Sequence, residues 1–424
     1  MTAGTRKSLR ALGLAAALAL ASAPAAAAAD EPAGGEGLAI RAAKILTVTR
    51  GVVDDGVILV KGRKIEAVGP FATTPVPSGY RFLDYRDSWV FPGMIDLHAH
   101  IAGNGNDIND MVHPTNPELR TFETIDPDDE DLKIAVAGGV TTILYIPGSG
   151  TNISGFGCLL KTAGDGLDDM VVRRYGAMKV AQAFNPERRG GDLGLSRMGM
   201  AWGLKQVLDR ARDYTRAWDA FEAGKGEKPA VDAALEPMKG LFRREFPVII
   251  HTAGARDVVS TARMFFDEYG LWTIVTHGCF DAHKSAPDLA RRQGLYVNLG
   301  PRLFDYNPTA EGRFVSTPAV YAAAGVERIS FCTDSPVVPQ EELFLQAAMA
   351  VRFGFPADRA LRAVTIEPAV AIGIADRTGS LEPGKDADIV VKDGDPFDPA
   401  TPIRLVLVNG KVAHEWKLPK RSSP

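Results

Sequence analysis

The sequence predicts an α/β protein: a (β/α)8 TIM barrel with a small β-sandwich built from both chain termini. Four short apolar runs, spread over the chain, each end in His or Asp, as barrel strands do where their carboxyl ends meet at one mouth. Short strands with tight turns crowd both ends of the chain, at 39–68 and at 387–412. With 424 residues, 46% hydrophobic and 24% charged, the chain is long enough for one large barrel.

The amino terminus is typical of a secretory signal peptide. Three cations precede an Ala/Leu-rich run that ends in an Ala-x-Ala pattern near Ala29. We therefore predict a signal peptide over residues 1–29 and a periplasmic or secreted mature protein that begins near Asp30. A membrane anchor is the alternative, but Ser22 and Pro24 interrupt the run, so no stable anchor is expected.

The chain is expected to divide into four segments. These are the signal peptide at 1–29, the first part of the sandwich at 30–90, the barrel at 91–375 with a helical insertion at about 186–246, and the rest of the sandwich at 376–424. Within the insertion, apolar residues at helical spacing predict an amphipathic helix over 197–223 and a second around 230–246. We expect both helices to pack against the barrel; a lid or a contact within a homo-oligomer are the alternatives.

Net charge argues against a nucleic-acid partner, and cysteine content argues against a disulfide framework. Removal of residues 1–29 takes away three cations and moves the formal net charge from −4 to −7, which argues against nucleic acid as a partner. The three cysteines, Cys158, Cys279 and Cys332, are an odd number, and no disulfide framework is expected.

His98 and His100 are the most informative residues, because they close the apolar run 91–100 one residue apart. Side chains in a strand repeat with a period of two, so both imidazoles lie on one face and can bind a metal. Three later runs, 248–251, 272–277 and 328–334, end in His251, His277 and Asp334, which can bind or serve a metal. In a barrel these residues converge on one mouth.

The order of these residues resembles the amidohydrolase superfamily, as do segment 181–188 and the return segment 379–388. The similarity extends over about 38–414 and is strongest to the imidazolonepropionase-like and dipeptidase-like branch. It implies a hydrolase that acts on carbon-nitrogen bonds and takes its metal ligands from strands one, five, six and eight. Carried over residue by residue, those ligands are His98, His100, His251, His277 and Asp334.

The resemblance also implies a choice between one metal ion and two. Two-metal members bridge their ions with a lysine on strand four that carbon dioxide has carboxylated. Strand count favours Lys179, in the run 175–183, and Lys161 is the second choice. A lysine forms a carbamate only as the free amine, so its site must depress its pKa. Zinc suits such a nitrogen-rich set best, and we expect two zinc ions per chain; other divalent metals are the alternatives.

The expected mechanism uses a metal-activated hydroxide, with Asp334 as general acid and base. One-metal relatives that deaminate bases or open imidazolone rings carry a glutamate shortly after a barrel histidine; neither His251 nor His277 is followed by one, although Glu118 or Glu123 could supply it. We therefore favour an exported two-metal hydrolase of an amide or peptide-like C-N bond in a small-molecule substrate. The alternatives are a mononuclear cyclic amidohydrolase or deaminase, and a catalytically inactive barrel that binds a ligand.

Three further residues are candidates for substrate binding. His113 lies in the long loop after the first barrel strand, which borders the mouth. Arg302 follows the seventh strand and could hold a carboxylate through its fork of donors. If Lys161 bears no carbamate, it is a candidate for binding substrate at the mouth. The alternative is that it forms an ion pair.

Overall fold

A computed structural model describes residues 37–183, 185–187, 196–301, 304–305 and 312–416. The predicted signal peptide at 1–29 and the candidate Arg302 lie outside these residues. The strands are, in chain order, β1 (Gly37–Leu46), β2 (Val52–Lys61), β3 (Lys64–Pro70), β4 (Tyr80–Pro92), β5 (Met94–Ala99), β6 (Val140–Tyr145), β7 (Ile153–Lys161), β8 (Val171–Ala181), β9 (Val248–His251), β10 (Thr273–His277), β11 (Tyr296–Leu299), β12 (Phe304–Asp305), β13 (Val315–Ser316), β14 (Ile329–Phe331), β15 (Ile389–Lys392), β16 (Ile403–Val408) and β17 (Lys411–Glu415).

The helices alternate with the strands through the middle of the chain. They are α1 (Glu130–Ala137), α2 (Leu167–Met170), α3 (Arg197–Glu222), α4 (Met238–Phe242), α5 (Ala255–Thr261), α6 (Ala286–Ala290), α7 (Thr317–Ala323), α8 (Leu343–Arg352), α9 (Ala357–Ala363) and α10 (Ile366–Ile372). A π-helical segment, Ala262–Glu268, continues α5.

Eight strands form the barrel sheet in the order β5-β6-β7-β8-β9-β10-β11-β14. Most side chains on both faces of the sheet are buried and apolar, because helices cover one face and the barrel's own side chains fill the other. The first and last strands approach each other only at an isolated bridge between Ala99 and Ser335. The predicted α/β barrel is thus confirmed as a nearly closed sheet.

The third barrel strand departs from the parallel pattern. β7 runs antiparallel to both β6 and β8, so that Lys161 lies opposite Thr142 and Cys158 lies opposite Tyr145. Antiparallel neighbours can be joined by a short loop, whereas parallel ones need a crossover of a dozen residues or more. Segment 146–152 provides such a loop. The carboxyl end of β7 therefore lies at the opposite end of the barrel from the mouth.

Both ends of the chain build a second sheet, as predicted. Its seven strands have the order β17-β16-β15-β4-β1-β2-β3, and β15 joins the two chain ends by pairing with β4. Alternating branched residues such as Ile40, Ile58 and Ile389 form its apolar core. Its hydrogen bonding is continuous across the sheet from β17 to β3.

The insertion packs against the barrel. The predicted helix over 197–223 is observed as α3, which buries Leu204 and Leu208 in one core with Val180 of β8 and Ile250 of β9. The second predicted helix, around 230–246, is shorter and comprises only α4. Among the described residues, no helix combines the length and the apolar character needed to cross a bilayer.

Candidate metal centre

Five strands bring the six principal candidate residues to one place. His98 lies in β5 and His100 directly after it, and Lys179 lies near the end of β8. His251 and His277 are the last residues of β9 and β10, while Asp334 follows β14. Because these strands all point the same way, their carboxyl ends meet at one mouth.

The side chains form a compact cluster. Asp334 Oδ1 lies 3.3 Å from His98 Nε2 and 3.2 Å from His100 Nε2. The ring centroids of His98 and His277 are 4.3 Å apart, and those of His251 and His277 are 4.4 Å apart. One potential ligand atom from each of His98, His277 and Asp334 lies within 4.8 Å of the others. This is a spacing at which a single metal ion could contact all three.

Hydrogen bonds fix which nitrogen of each imidazole can bind a metal. His100 Nδ1 is 2.9 Å from the carbonyl oxygen of Ile146, and His277 Nδ1 is 2.8 Å from that of Gly300. A carbonyl only accepts, so both Nδ1 atoms must carry the proton. His98 Nδ1 lies 3.1 Å from Thr276 Oγ1, whose own hydrogen is donated to the Asn298 carbonyl. All three histidines therefore present an unprotonated Nε2 to the cluster.

Two imidazole nitrogens in the cluster have no protein partner. His277 Nε2 and His251 Nδ1 are buried, and neither makes a hydrogen bond within the described part of the chain. A buried polar atom without a partner carries a desolvation penalty that native structures usually avoid. A metal ion would satisfy both nitrogens, so the donor set fits a metal.

Burial keeps the histidines neutral. It lowers the pKa of His98 and of His251 well below the ordinary value, and it also lowers the pKa of His277. Burial acts in the opposite sense on Asp334, yet the pKa of this carboxyl is lowered. The cluster thus combines neutral imidazoles of His98, His251 and His277 with an ionised carboxylate, the protonation states that metal ligands require.

Lys179 is a buried amine without a carboxylate partner among the described residues. Its side chain is fully buried, and its Nζ lies 3.1 Å from His98 Nε2 and donates to the Pro147 carbonyl at 3.1 Å. Burial lowers the pKa of Lys179 to about 7. A substantial fraction of this lysine is therefore the free amine at neutral pH.

The backbone is strained at two of these residues. His277 has φ of 74° and Asp334 has φ of 54°, in the left-handed region that residues with a Cβ seldom adopt. Each such residue costs about 1–2 kcal/mol. Strain of this kind persists where the surrounding structure enforces it, often at functional sites. Here it occurs where β10 ends and just after β14, and it sets the direction of two cluster side chains.

A cavity of about 540 Å³ opens above the cluster. His100, His251 and Asp334 contribute to its lining, and the loop 148–150 after β6 lies along its wall. Ile101, Ile108, Pro336 and Val337 add apolar surface. None of its lining residues within the described ranges is a lysine or an arginine.

A family model described as "Amidohydrolase family" matches residues 205–417, just over half of the chain. The chain belongs to the amidohydrolase family. It is accordingly a hydrolase acting on C-N bonds, and the resemblance drawn from its motifs is confirmed.

Curated relatives extend the comparison to most of the barrel. The chain is 27% identical over 375 residues to an imidazolonepropionase of Rhizobium meliloti, covering 80% of this chain and 86% of that protein. An imidazolonepropionase of Thermoplasma acidophilum is 23% identical, covering 82% of this chain and 85% of the other. Amidohydrolase tasK of Hapsidospora irregularis is 27% identical over 80% of this chain, which spans only 38% of tasK. These relatives support the imidazolonepropionase-like branch.

Solved structures agree on the fold. An amidohydrolase from Thermotoga maritima MSB8 matches with a TM-score of 0.80 and 29% identity, covering 89% of this chain and all of the other. A prolidase complexed with N-methylphosphonate-L-proline matches with a TM-score of 0.55 over 90% of this chain and all of the other, but at 17% identity. This second likeness concerns the fold alone.

The structure does not bring Lys161 to the cluster of this amidohydrolase. In a barrel whose strands are all parallel, Lys161 would lie at the mouth; because β7 is antiparallel, the residue lies at the other end. There its ammonium forms a buried ion pair with Asp388 and lies 3.6 Å from Asp386. The interpretation of Lys161 as a substrate-binding or carboxylated residue is therefore wrong, and the ion-pair alternative holds.

The other candidates within the described residues, His113, Glu118 and Glu123, have their contacts away from the cluster. His113 is exposed in the loop after β5, and its carbonyl accepts a hydrogen bond from Asn116. Glu123 pairs with Arg120, and Glu118 lines a separate groove with Tyr175. Neither glutamate supplies the carboxylate that one-metal relatives carry near the histidines.

Sequence reasoning missed Asp96. It is fully buried and accepts hydrogen bonds from the backbone of His98 and Thr333 and from the side chains of Thr333 and Gln340. Burial raises the pKa of Asp96 to about 6, against the effect of these hydrogen bonds. A signal was present: Asp96, His98 and His100 alternate along one strand, so all three lie on the same face.

Proposed function

We propose that this amidohydrolase is an exported, metal-dependent enzyme that hydrolyses an amide or peptide-like C-N bond in a small molecule. The observation that carries the proposal is the cluster itself. Three imidazoles with an unprotonated Nε2 meet one carboxylate and one buried amine that has no carboxylate partner among the described residues. Neutral nitrogen donors with a carboxylate are a set that suits zinc.

The proposed ligands are His98, His100, His251, His277 and Asp334, with Lys179 as a carbamate bridge between two ions. The neutral Nζ of Lys179 adds to carbon dioxide, an N-C bond forms and one proton leaves, so that the side chain becomes anionic. The depressed pKa of Lys179 favours this reaction, because only the free amine can add to carbon dioxide. Bound zinc would supply a water with a pKa near 7 and polarise the substrate carbonyl.

Asp334 is the proposed general base and acid. Its carboxylate lies between His98 and His100 and lines the cavity, where it could take a proton from the attacking water and deliver it to the leaving nitrogen. The lowered pKa of Asp334 keeps it ionised before the attack. The cavity walls, which combine apolar residues with the small loop 148–150, would hold the substrate against this group.

A mononuclear enzyme that opens a cyclic amide is the second candidate. The names of the relatives from Rhizobium meliloti and Thermoplasma acidophilum favour it, since both are imidazolonepropionases. Against it stands Lys179, a buried amine beside His98 that a one-metal site would leave without a function. Metal stoichiometry separates the two candidates.

The decisive experiment is metal content per folded chain in protein purified without chelator, compared between wild type, Lys179→Met and Lys161→Met. Two zinc ions in wild type and in Lys161→Met, falling to one or none in Lys179→Met, would support the bridged site. One ion in all three proteins would refute the bridge and favour the mononuclear enzyme. The same proteins are then tested on dipeptides, N-acyl amino acids and cyclic amides.

Two further outcomes concern the remaining parts of the proposal. A wild-type protein that binds small ligands without hydrolysing any of these compounds would be an inactive ligand-binding barrel. Export is tested separately, by expressing the full chain in a Gram-negative host and sequencing the amino terminus of the periplasmic product. A start near Asp30 supports a cleaved signal peptide over 1–29, and retention of the whole chain in the cytoplasm refutes it.

A further inference from the structure

The barrel has a seam between its first and last strands. β5 and β14 share no hydrogen-bonded ladder, and the backbone contacts in this region are the Ala99–Ser335 bridge and a hydrogen bond from His100 N to the Ser335 carbonyl. The proposed metal centre straddles this seam, because His98 and His100 lie on one side and Asp334 on the other. Something must therefore hold the two sides at a fixed separation.

Asp96 bridges the seam with a single buried carboxylate. On the β5 side, its Oδ1 accepts from His98 N at 2.8 Å. On the β14 side, its Oδ2 accepts from Thr333 N at 2.9 Å, from Thr333 Oγ1 at 2.7 Å and from Gln340 Nε2 at 2.8 Å. Asp96 and Thr333 are fully buried and Gln340 is nearly so. Charge-assisted hydrogen bonds of this kind are among the stronger ones in proteins.

The bonded groups lie next to the proposed ligands. One is the backbone amide of His98 itself, and the others belong to Thr333, which precedes Asp334, and to Gln340, in the turn that leads into α8. Asp334 has the strained φ of 54°, so its direction depends on how the preceding residue is held. The buried Oε1 of Gln340 has no partner among the described residues, which indicates that this amide is oriented for its bond to Asp96.

We propose that Asp96, together with Thr333 and Gln340, is a positioning device that sets the separation between the His98/His100 pair and Asp334. The inference rests on the proposed metal centre and adds a group that touches neither metal nor substrate. Partners that orient metal ligands typically change metal affinity or activity about 10- to 100-fold when they are removed. Asp96 would act in this way on both sides of the seam at once.

Substitution of Thr333 tests the proposal while leaving the Asp96 carboxylate in place. Thr333→Val keeps the side-chain shape but removes the hydroxyl that donates to Asp96 and accepts from Ser335 N at 3.1 Å. Thr333→Ser restores that hydroxyl. The chain offers a matched control in Thr378, whose hydroxyl donates at 2.9 Å to Asp388, a second buried carboxylate, beside Lys161 at the far end of the barrel. Thr378→Val thus removes the same kind of bond away from the proposed site.

The measurements are zinc affinity by competition with a chelator, kcat and KM on one substrate, and Tm. We expect both Thr333→Val and Thr378→Val to lower Tm, and Thr333→Val to lower it more, because it also removes the acceptor of Ser335 N. Only Thr333→Val should weaken zinc binding and reduce kcat, each about 10-fold, with KM changing less than kcat. Thr333→Ser should return both values to near those of wild type.

The inference is overturned if Thr333→Val and Thr378→Val affect zinc affinity and kcat equally, or if Thr333→Ser is as impaired as Thr333→Val. It is also overturned if wild type itself binds no zinc, and in that case the proposed metal centre falls with it. A wild type that binds zinc and hydrolyses its substrate, with no difference among the variants, refutes the positioning role alone.

Discussion

The two buried lysines of the barrel should respond in opposite ways to the same substitution. Lys161 and Lys179 lie on adjacent strands and are almost completely buried, but Lys161 has a carboxylate partner in Asp388 and Lys179 has none among the described residues. Replacement by methionine keeps most of the side-chain volume and removes the amine. We predict that Lys161→Met destabilises the metal-free protein, whereas Lys179→Met stabilises it.

The magnitude for Lys179 follows from its pKa. The unfolded chain holds this proton up to a pKa of 10.5, but burial lowers the folded value to about 7. At pH 8 the lysine must lose its proton on folding, which opposes folding by about 3 kcal/mol. Methionine removes that penalty but leaves the Pro147 carbonyl without its donor, at about 1 kcal/mol. The net expectation is a gain of about 2 kcal/mol at pH 8.

For Lys161, removal of one partner of a buried pair leaves the carboxylate of Asp388 uncompensated. Such changes typically lower stability by about 3–5 kcal/mol. Thr378 and the backbone of Asn409 still donate to Asp388, which favours the lower end of that range. The two variants should therefore differ by about 5 kcal/mol in the free energy of unfolding.

The assay is urea unfolding of metal-free protein in buffer depleted of carbon dioxide, at several pH values from 7.5 to 9.5. A lowered lysine pKa means that the unfolded chain binds an extra proton between about pH 7 and 10.5, so wild-type stability gains with rising pH from this group. The advantage of Lys179→Met should shrink accordingly. A variant as destabilised as Lys161→Met, or an advantage independent of pH, would refute the picture of Lys179 as an unpaired buried amine.

Three other substitutions test separate parts of the molecule. His277→Ala should reduce bound zinc and lower kcat by more than the roughly 100-fold seen when a ligand's supporting group is lost, as measured by metal analysis and steady-state kinetics. Glu382→Gln should destabilise at neutral pH, because hydrogen bonds from Ser380 and Thr49 lower the pKa of Glu382 to about 2; the difference from wild type should vanish as the pH falls from 4.5 toward 2, which acid unfolding curves would show. Leu208→Ala should lower stability by about 2–5 kcal/mol with little change in kcat, since Leu208 of α3 is fully buried in the core that α3 shares with the barrel; an unchanged urea midpoint would contradict this packing.

Much of the proposed site could be predicted from local patterns. Apolar runs that end in His98, His251, His277 and Asp334 predicted strands with chemistry at their carboxyl ends, and the period of two placed His98 and His100 on one face. The helix α3 began and ended where its apolar spacing indicated. Both features depend on residues close in sequence, so the sequence contains the information directly.

Tertiary structure decided what depends on strand direction and on distant partners. Nothing in the composition of β7 distinguishes a parallel from an antiparallel strand, yet its direction moves Lys161 from the mouth to an ion pair with Asp388. The protonated nitrogen of His277 is set by a carbonyl 23 residues away, and Asp96 meets Thr333 only when the barrel closes. The sequence by itself thus determined which residue types face the mouth. Only the packing of strands far apart in the chain determined which of them are neutral, unpaired and aligned, because pKa and hydrogen-bond partners depend on three-dimensional surroundings.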